Sequence, residues 1–170
     1  MMARFMSKYN WSVTRHALID CNIPRLWKII TLESNLELFH PFCKNNRIIK
    51  WLGSDSIDEI EYLNGSIFQR KFCGWINEVG YDLYINQIDK PPSFVNWRLS
   101  EKGNQSIITI TVYPYLFNRG YKIINFFPFF LVVRPLLSKY LDSVVGGLKL
   151  YAEKETQVEK NHFGKHLWFS

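Results

Sequence analysis

Short apolar runs punctuated by turn residues fill the chain from Trp11 to Tyr115, and a helical period takes over after Pro135. Residues 11–20 (WSVTRHALID) mix alternating and apolar character and predict a first strand. Two short helices are expected next. Asn22 can cap the first, Pro24 sits in its first turn where a missing N–H costs nothing, and Ile23, Leu26, Trp27 and Ile30 recur at i, i+3, i+4 and i+7. Ser34 and Glu37 have capping-box spacing for the second, which carries Leu36, Leu38 and Phe39; it ends at His40, because Pro41 disfavours helix in the residue before it.

Six more strands are predicted over 47–52, 57–63, 67–76, 81–89, 94–100 and 106–115, joined by connectors of Gly, Pro, Asn and Asp. Asn64-Gly65 between two alternating runs predicts a tight hairpin of type I′, which needs positive φ at both central residues. Pro135 then opens a long helix with the stripe Leu137, Tyr140, Leu141, Val144, Leu148, Tyr151 and Ala152, opposite Lys139, Asp142, Ser143, Lys149 and Glu153. Gly146-Gly147 interrupts its propensity and reads as a close approach of sheet or ligand, a kink, or simple loss of helix preference.

Between the last strand and that helix lies IINFFPFFLVV, residues 123–133, an irregular segment with too many rings for an exposed linker. Four readings stand: core packing at the sheet's open end, a lip over a cavity entrance, a dimer contact, or an edge that dips into a membrane with Arg119, Lys122 and Arg134 near anionic headgroups. Pro128, Arg134 and Pro135 break the stretch before it reaches the ~20 residues of a membrane-spanning helix. No transmembrane span is expected, and residues 1–10 lack the apolar run of an export signal.

At 170 residues one domain is expected, with its core over about 11–155 and a C-terminal tail at 156–170. The aromatic content (13 Phe, 9 Tyr, 6 Trp) gives that core ample ring surface. Cys21, Cys43 and Cys73 are odd in number with no CxxC spacing, so reduced thiols in the cytoplasm are expected. The net charge of +6 permits weak attraction to anionic surfaces, but the basic residues are dispersed, and no nucleic-acid partner is expected.

The order strand, two helices, six strands, long helix resembles the helix-grip arrangement, and particular residues agree. Ile19-Asp20-Cys21-Asn22-Ile23-Pro24-Arg25-Leu26-Trp27 resembles the opening of the START-like, Bet v 1-like superfamily of polyketide cyclase and lipid-transport (SRPBCC) proteins. Cys21, Asn22 and Leu26 depart from that pattern, whereas Ile19, Asp20 and Trp27 keep it. Ile88-Asp89-Lys90-Pro91-Pro92 with Trp97-Arg98-Leu99, and Gly147-Leu148-Lys149-Leu150-Tyr151, look like later segments of the same proteins. The resemblance implies an α+β fold, a curved seven-stranded antiparallel sheet wrapped around a long C-terminal helix, with a deep apolar pocket between them.

Familiar catalytic signatures are missing: there is no HExxH, Walker A loop, GxSxG elbow or GxGxxG. No cofactor or metal is expected; His162 and His166 have Gly164 between them and no third ligand nearby, so they read as part of a polar tail. His16 and His40 read as hydrogen-bonded structural histidines. Alternation on the strands points Ile60, Tyr62, Phe68, Arg70, Phe72, Tyr84, Val95, Trp97, Ile108, Ile110 and Val112 at one face, opposite Leu137, Tyr140, Leu141 and Val144, with Phe127 and Phe130 at the rim. Such residues either fill a core or line a ligand pocket. An inward Arg70 needs an anionic partner, which is a ligand carboxylate or phosphate, or one of Glu59, Glu61 and Asp82. The expected function is binding or transport of a small hydrophobic molecule (a lipid, an isoprenoid or a polyketide-like compound), and the alternative is a cyclase, aromatase or dehydratase acting in the same cavity.

Overall fold

A computed structural model describes residues 8–170; residues 1–7, and so most of the stretch read for an export signal, lie outside the described residues. The chain runs β1 (Val13–Ile19), α1 (Ile23–Thr31), α2 (Leu36–Phe39), β2 (Cys43–Lys50), β3 (Ile57–Tyr62), β4 (Ile67–Ile76), β5 (Gly80–Asn86), β6 (Ser93–Lys102) and β7 (Gln105–Tyr113). After them come α3 (Lys122–Pro128), a π-helical turn (Phe129–Val133) and α4 (Arg134–Lys154). All seven strands form one antiparallel sheet in the order β1-β7-β6-β5-β4-β3-β2. The sheet wraps α4, whose Leu137, Leu141, Val144, Leu148 and Ala152 are buried. This is the helix-grip arrangement of α+β class.

Local chemistry sets the two short helices as expected, with one exchange of partners. The Asn22 side chain accepts the Arg25 N–H at 3.0 Å, and Leu26, Trp27 and Ile30 turn inward. Ser34 and Glu37 make no capping box. The Ser34 hydroxyl donates to the Asn46 carbonyl at 2.9 Å while Glu37 accepts the Asn46 N–H at 2.8 Å, so the pair clamps the backbone of β2 instead.

The Asn64-Gly65 hairpin pairs β3 with β4 antiparallel, but its turn is longer than expected. Only Gly65 has positive φ (83°); Gly65 N–H bonds the Tyr62 carbonyl and Tyr62 N–H bonds the Ser66 carbonyl, each at 2.9 Å. That is a three-residue loop closed by a left-handed glycine, not a type I′ turn. The extra residue moves the register by one. A two-residue turn would set Arg70 opposite Glu59, whereas here Arg70 stands opposite Asp58.

The largest departure lies at residues 123–133, which are helical rather than irregular. α3, the π turn and α4 run on as one helix, Lys122–Lys154, of 33 residues. A proline ring clashes with the carbonyl four residues back in a regular helix, and the widened π turn just ahead of Pro135 relieves that crowding. On length and composition this helix could cross a bilayer, yet its C-terminal part is the core helix gripped by the sheet. Gly147 has a packing role that neither sheet nor ligand supplies: a Cβ there would lie 2.1 Å from the Phe39 carbonyl oxygen. The glycine lets α2 sit directly on α4.

The tail is not a polar appendage. Val158 N–H bonds the Leu38 carbonyl, Asn161 N–H bonds the Pro41 carbonyl, and His166 is buried with Nε2 3.0 Å from the Leu136 carbonyl oxygen. Phe169 stacks on Tyr62 with ring centroids 4.2 Å apart.

Candidate functional site: a cavity between sheet and helix

Alternation along β3, β4, β6 and β7 brings Ile60, Tyr62, Phe68, Arg70, Val95, Trp97, Ile110 and Val112 to one concave face. Across from them, one side of α4 presents Leu137, Tyr140, Leu141 and Val144. A cavity of about 370 Å³ separates the two, within the range of small-ligand pockets. Trp168 and Phe169 of the tail, with Val133 of the π turn, complete its wall.

Five residues predicted for the lining or its rim are elsewhere. Phe72 points inward but is consumed by a ring cluster with Trp51, Trp75 and Tyr81, which fills that end of the interior. Tyr84 has the wrong parity: Leu83 and Ile85 face the cavity, while Tyr84 lies on the outer face against Phe94. The strand alternates, with Tyr81, Leu83 and Ile85 inward and Asp82, Tyr84 and Asn86 outward, so the inner face was legible and the lone ring on the polar face was assigned to the wrong side. Phe127 is 67% exposed on α3, and Phe130 packs on Trp11 and under Arg134, so neither lines the cavity. Ile108 is fully buried core.

Arg70 is satisfied from within the protein. Its Nε donates to Asp58 Oδ1 at 2.8 Å and an Nη donates to Asp58 Oδ2, which also accepts from Asn46 Nδ2 at 3.1 Å. Burial works against the charge, but the Asp58 carboxylate outweighs it and holds the Arg70 pKa above its ordinary value. The partners considered from sequence serve others: Glu59 binds Arg47, Glu61 binds Lys44 and Asp82 binds Arg98. Arg70 therefore does not require an anionic ligand.

The second polar group in the wall was missed as a constellation. Tyr62 Oη lies 2.9 Å from Tyr140 Oη, which lies 2.9 Å from His40 Nε2, and His40 Nδ1 accepts the Phe42 N–H at 3.2 Å. The sequence pattern sets Tyr62 and Tyr140 on facing elements, but His40 is 100 residues from Tyr140 and nothing local joins them. Burial, with the positive charges of Arg70 and Lys160, lowers the His40 pKa to about 3. Burial likewise raises Tyr62 well above the usual phenol range and pushes Tyr140 up to about 12. At neutral pH all three groups are uncharged. Among the described residues no cluster of three or more His, Cys, Asp and Glu is placed to hold a metal.

Comparison with known proteins supports the fold from structure rather than from sequence. No family profile matches the chain, and no curated protein does either. Solved structures do. DynU16, a protein of the dynemicin biosynthetic locus, superposes with a TM-score of 0.66 at 12% identity over 86% of this chain and 48% of its own. The chain thus spans about half of that protein. CalU16 from Micromonospora echinospora gives 0.56 at 11% identity over 82% and 73%, and the Aha1 dimer from Colwellia psychrerythraea 0.58 at 14% over 85% and 97%.

Proposed function

From the premise that this chain has the START-like, Bet v 1-like fold, we propose that it is a soluble cytoplasmic protein that binds or carries a small hydrophobic molecule in the cavity between sheet and α4. The observation that carries this reading is the unfilled space itself: about 370 Å³ walled mainly by apolar side chains inside an otherwise close-packed interior. Binding is favoured over catalysis by the charge states at the wall. A proton-shuttling acid or base works best with a pKa near the ambient pH, and His40, Tyr62 and Tyr140 are all held far from neutrality. The cyclase-type reading remains the alternative, in keeping with the likeness to DynU16, a protein of a biosynthetic locus. Trp97 lines the cavity, so titration with a naphthalene-sized hydrophobe is expected to quench tryptophan fluorescence saturably, with the compound recovered unchanged by extraction. Recovery of a converted product would transfer the function to the enzyme reading, and a null titration would remove the cavity reading.

The helix ahead of the cavity supports a place for loading. Ile123, Ile124, Phe127 and Leu131 form one stripe on α3 and the π turn, between 67% and 89% exposed. No Asp or Glu occurs between Glu101 and Asp142, a span that holds Arg119, Lys122, Arg134 and Lys139. An apolar stripe in an acid-free, basic stretch complements an anionic bilayer, and we propose that this face docks there transiently to exchange ligand through the adjoining wall. Flotation with vesicles of phosphatidylcholine plus phosphatidylglycerol should retain the parent, weaken with added salt and fail for Ile124→Ser with Phe127→Ser. A parent that stays unbound would remove the docking proposal, and one that forms a dimer abolished by the same changes would assign the face to a second copy of the chain.

A further inference from the structure

The hydrogen-bond chain at the cavity wall has one hydrogen too many, and counting it identifies the kind of ligand. His40 is neutral, and its Nδ1 already accepts the Phe42 N–H, so the imidazole hydrogen sits on Nε2 and points at Tyr140 Oη. Tyr140 and Tyr62 then bring two hydroxyl hydrogens to the single oxygen–oxygen contact between them. One of the two is left over. Accepting from His40 polarises the Tyr140 hydroxyl and makes it the better donor, so its hydrogen goes to Tyr62 and the spare one belongs to Tyr62. Both rings line the cavity, and among the described residues neither hydroxyl has a further protein acceptor.

A buried donor without an acceptor is costly, and a ligand that supplies one recovers that cost. We propose that the Tyr62 hydroxyl is the ligand-reading donor of this cavity, and that the ligand is an uncharged hydrophobic molecule with a carbonyl-type oxygen at that position. This rests on the cavity-binding reading above and specifies it. A pure hydrocarbon leaves the hydrogen unpaired. A carboxylate fares worse, because the buried cation in the wall, Arg70, is already matched by Asp58, so a second anion would enter a low-dielectric space without a counter-charge.

Three probes of one shape separate these cases: 2-acetylnaphthalene, 2-ethylnaphthalene and 2-naphthoate, titrated by tryptophan fluorescence against the parent, Tyr62→Phe, and Tyr62→Phe with Tyr140→Phe. The parent is expected to prefer the ketone over the ethyl compound by about 3–10-fold, the range of one net hydrogen bond, and to bind the carboxylate most weakly. Tyr62→Phe should lose most of the ketone preference and the double variant all of it, read in each protein as the ratio of 2-acetylnaphthalene to 2-ethylnaphthalene affinity. Equal affinity of the parent for ketone and ethyl compound, or a preference that survives in the double variant, overturns the donor assignment while leaving cavity binding intact. Failure of the parent to bind any of the three removes the cavity reading, and the donor assignment with it.

Discussion

Arg70 and His40 show how single side chains commit a buried interior. Asp58 is fully buried and Arg70 is 4% exposed, so removing either partner strands the other's charge. Arg70→Met is expected to destabilise the fold by about 3–5 kcal/mol in urea denaturation, and pairing it with Asp58→Leu to recover most of the loss. A single variant as stable as the parent would contradict the buried pair. His40 gives a pH signature. Its folded pKa of about 3 lies below the unfolded value near 6.5, so as pH falls through this window the unfolded state binds a proton that the folded state refuses. Stability contributed by neutral His40 is complete above about pH 6.5 and shrinks toward pH 3; His166, also lowered by burial, acts in the same direction. Between pH 7 and 5 the parent should lose about 2 kcal/mol that His40→Gln does not. Parallel pH slopes for the two proteins would show that His40 carries no such linkage.

Among the elements, α4 shows the most direct dependence on a backbone contact. Gly147→Ala drives a methyl into the Phe39 carbonyl of α2, and α2 is too tightly bracketed by Pro41 and the Asn46 clamp to withdraw. A loss of about 1–3 kcal/mol is expected by thermal or urea unfolding, the usual penalty of overpacking. Gly146→Ala is the control. Its Cβ would meet the Phe163 ring at 3.1 Å, a movable side chain in the tail, and the gain of about 1 kcal/mol in helix propensity offsets the contact. If both variants lose equally, helix distortion and not the α2 contact is the cause. The pairing of β3 with β4 makes the same point about lengths. The third loop residue sets Arg70 opposite Asp58 rather than Glu59, and the pair that forms is a buried one.

At the scale of the molecule, the tail closes what sheet and helix leave open. Removing residues 162–170 takes away Trp168 and Phe169, and with them the stack on Tyr62 and part of the cavity wall. The truncated protein should melt several degrees lower and release 2-acetylnaphthalene faster in stopped-flow dilution; unchanged melting and release would show the tail to be a passive strap. The sequence alone determined the succession of strands along the chain, the helix at the end and its buried stripe, because alternation and the 3.6-residue period are local consequences of burying one face. It also placed Trp97, Ile110, Val112, Leu137, Leu141 and Val144 on the cavity, since parity within a strand or helix follows from its apolar residues. Tertiary structure decided the rest. Tyr84 was misplaced although Asp82 and Asn86 mark its side of β5 as the outer one, and Phe72 because a ring cluster, not a ligand space, fills one end of the interior. Asp58, His40 and the tail entered the site through contacts 12 to 107 residues apart in the chain. No local pattern encodes such pairings, because hydrogen-bond partners inside a fold are chosen by the register and packing of the whole sheet.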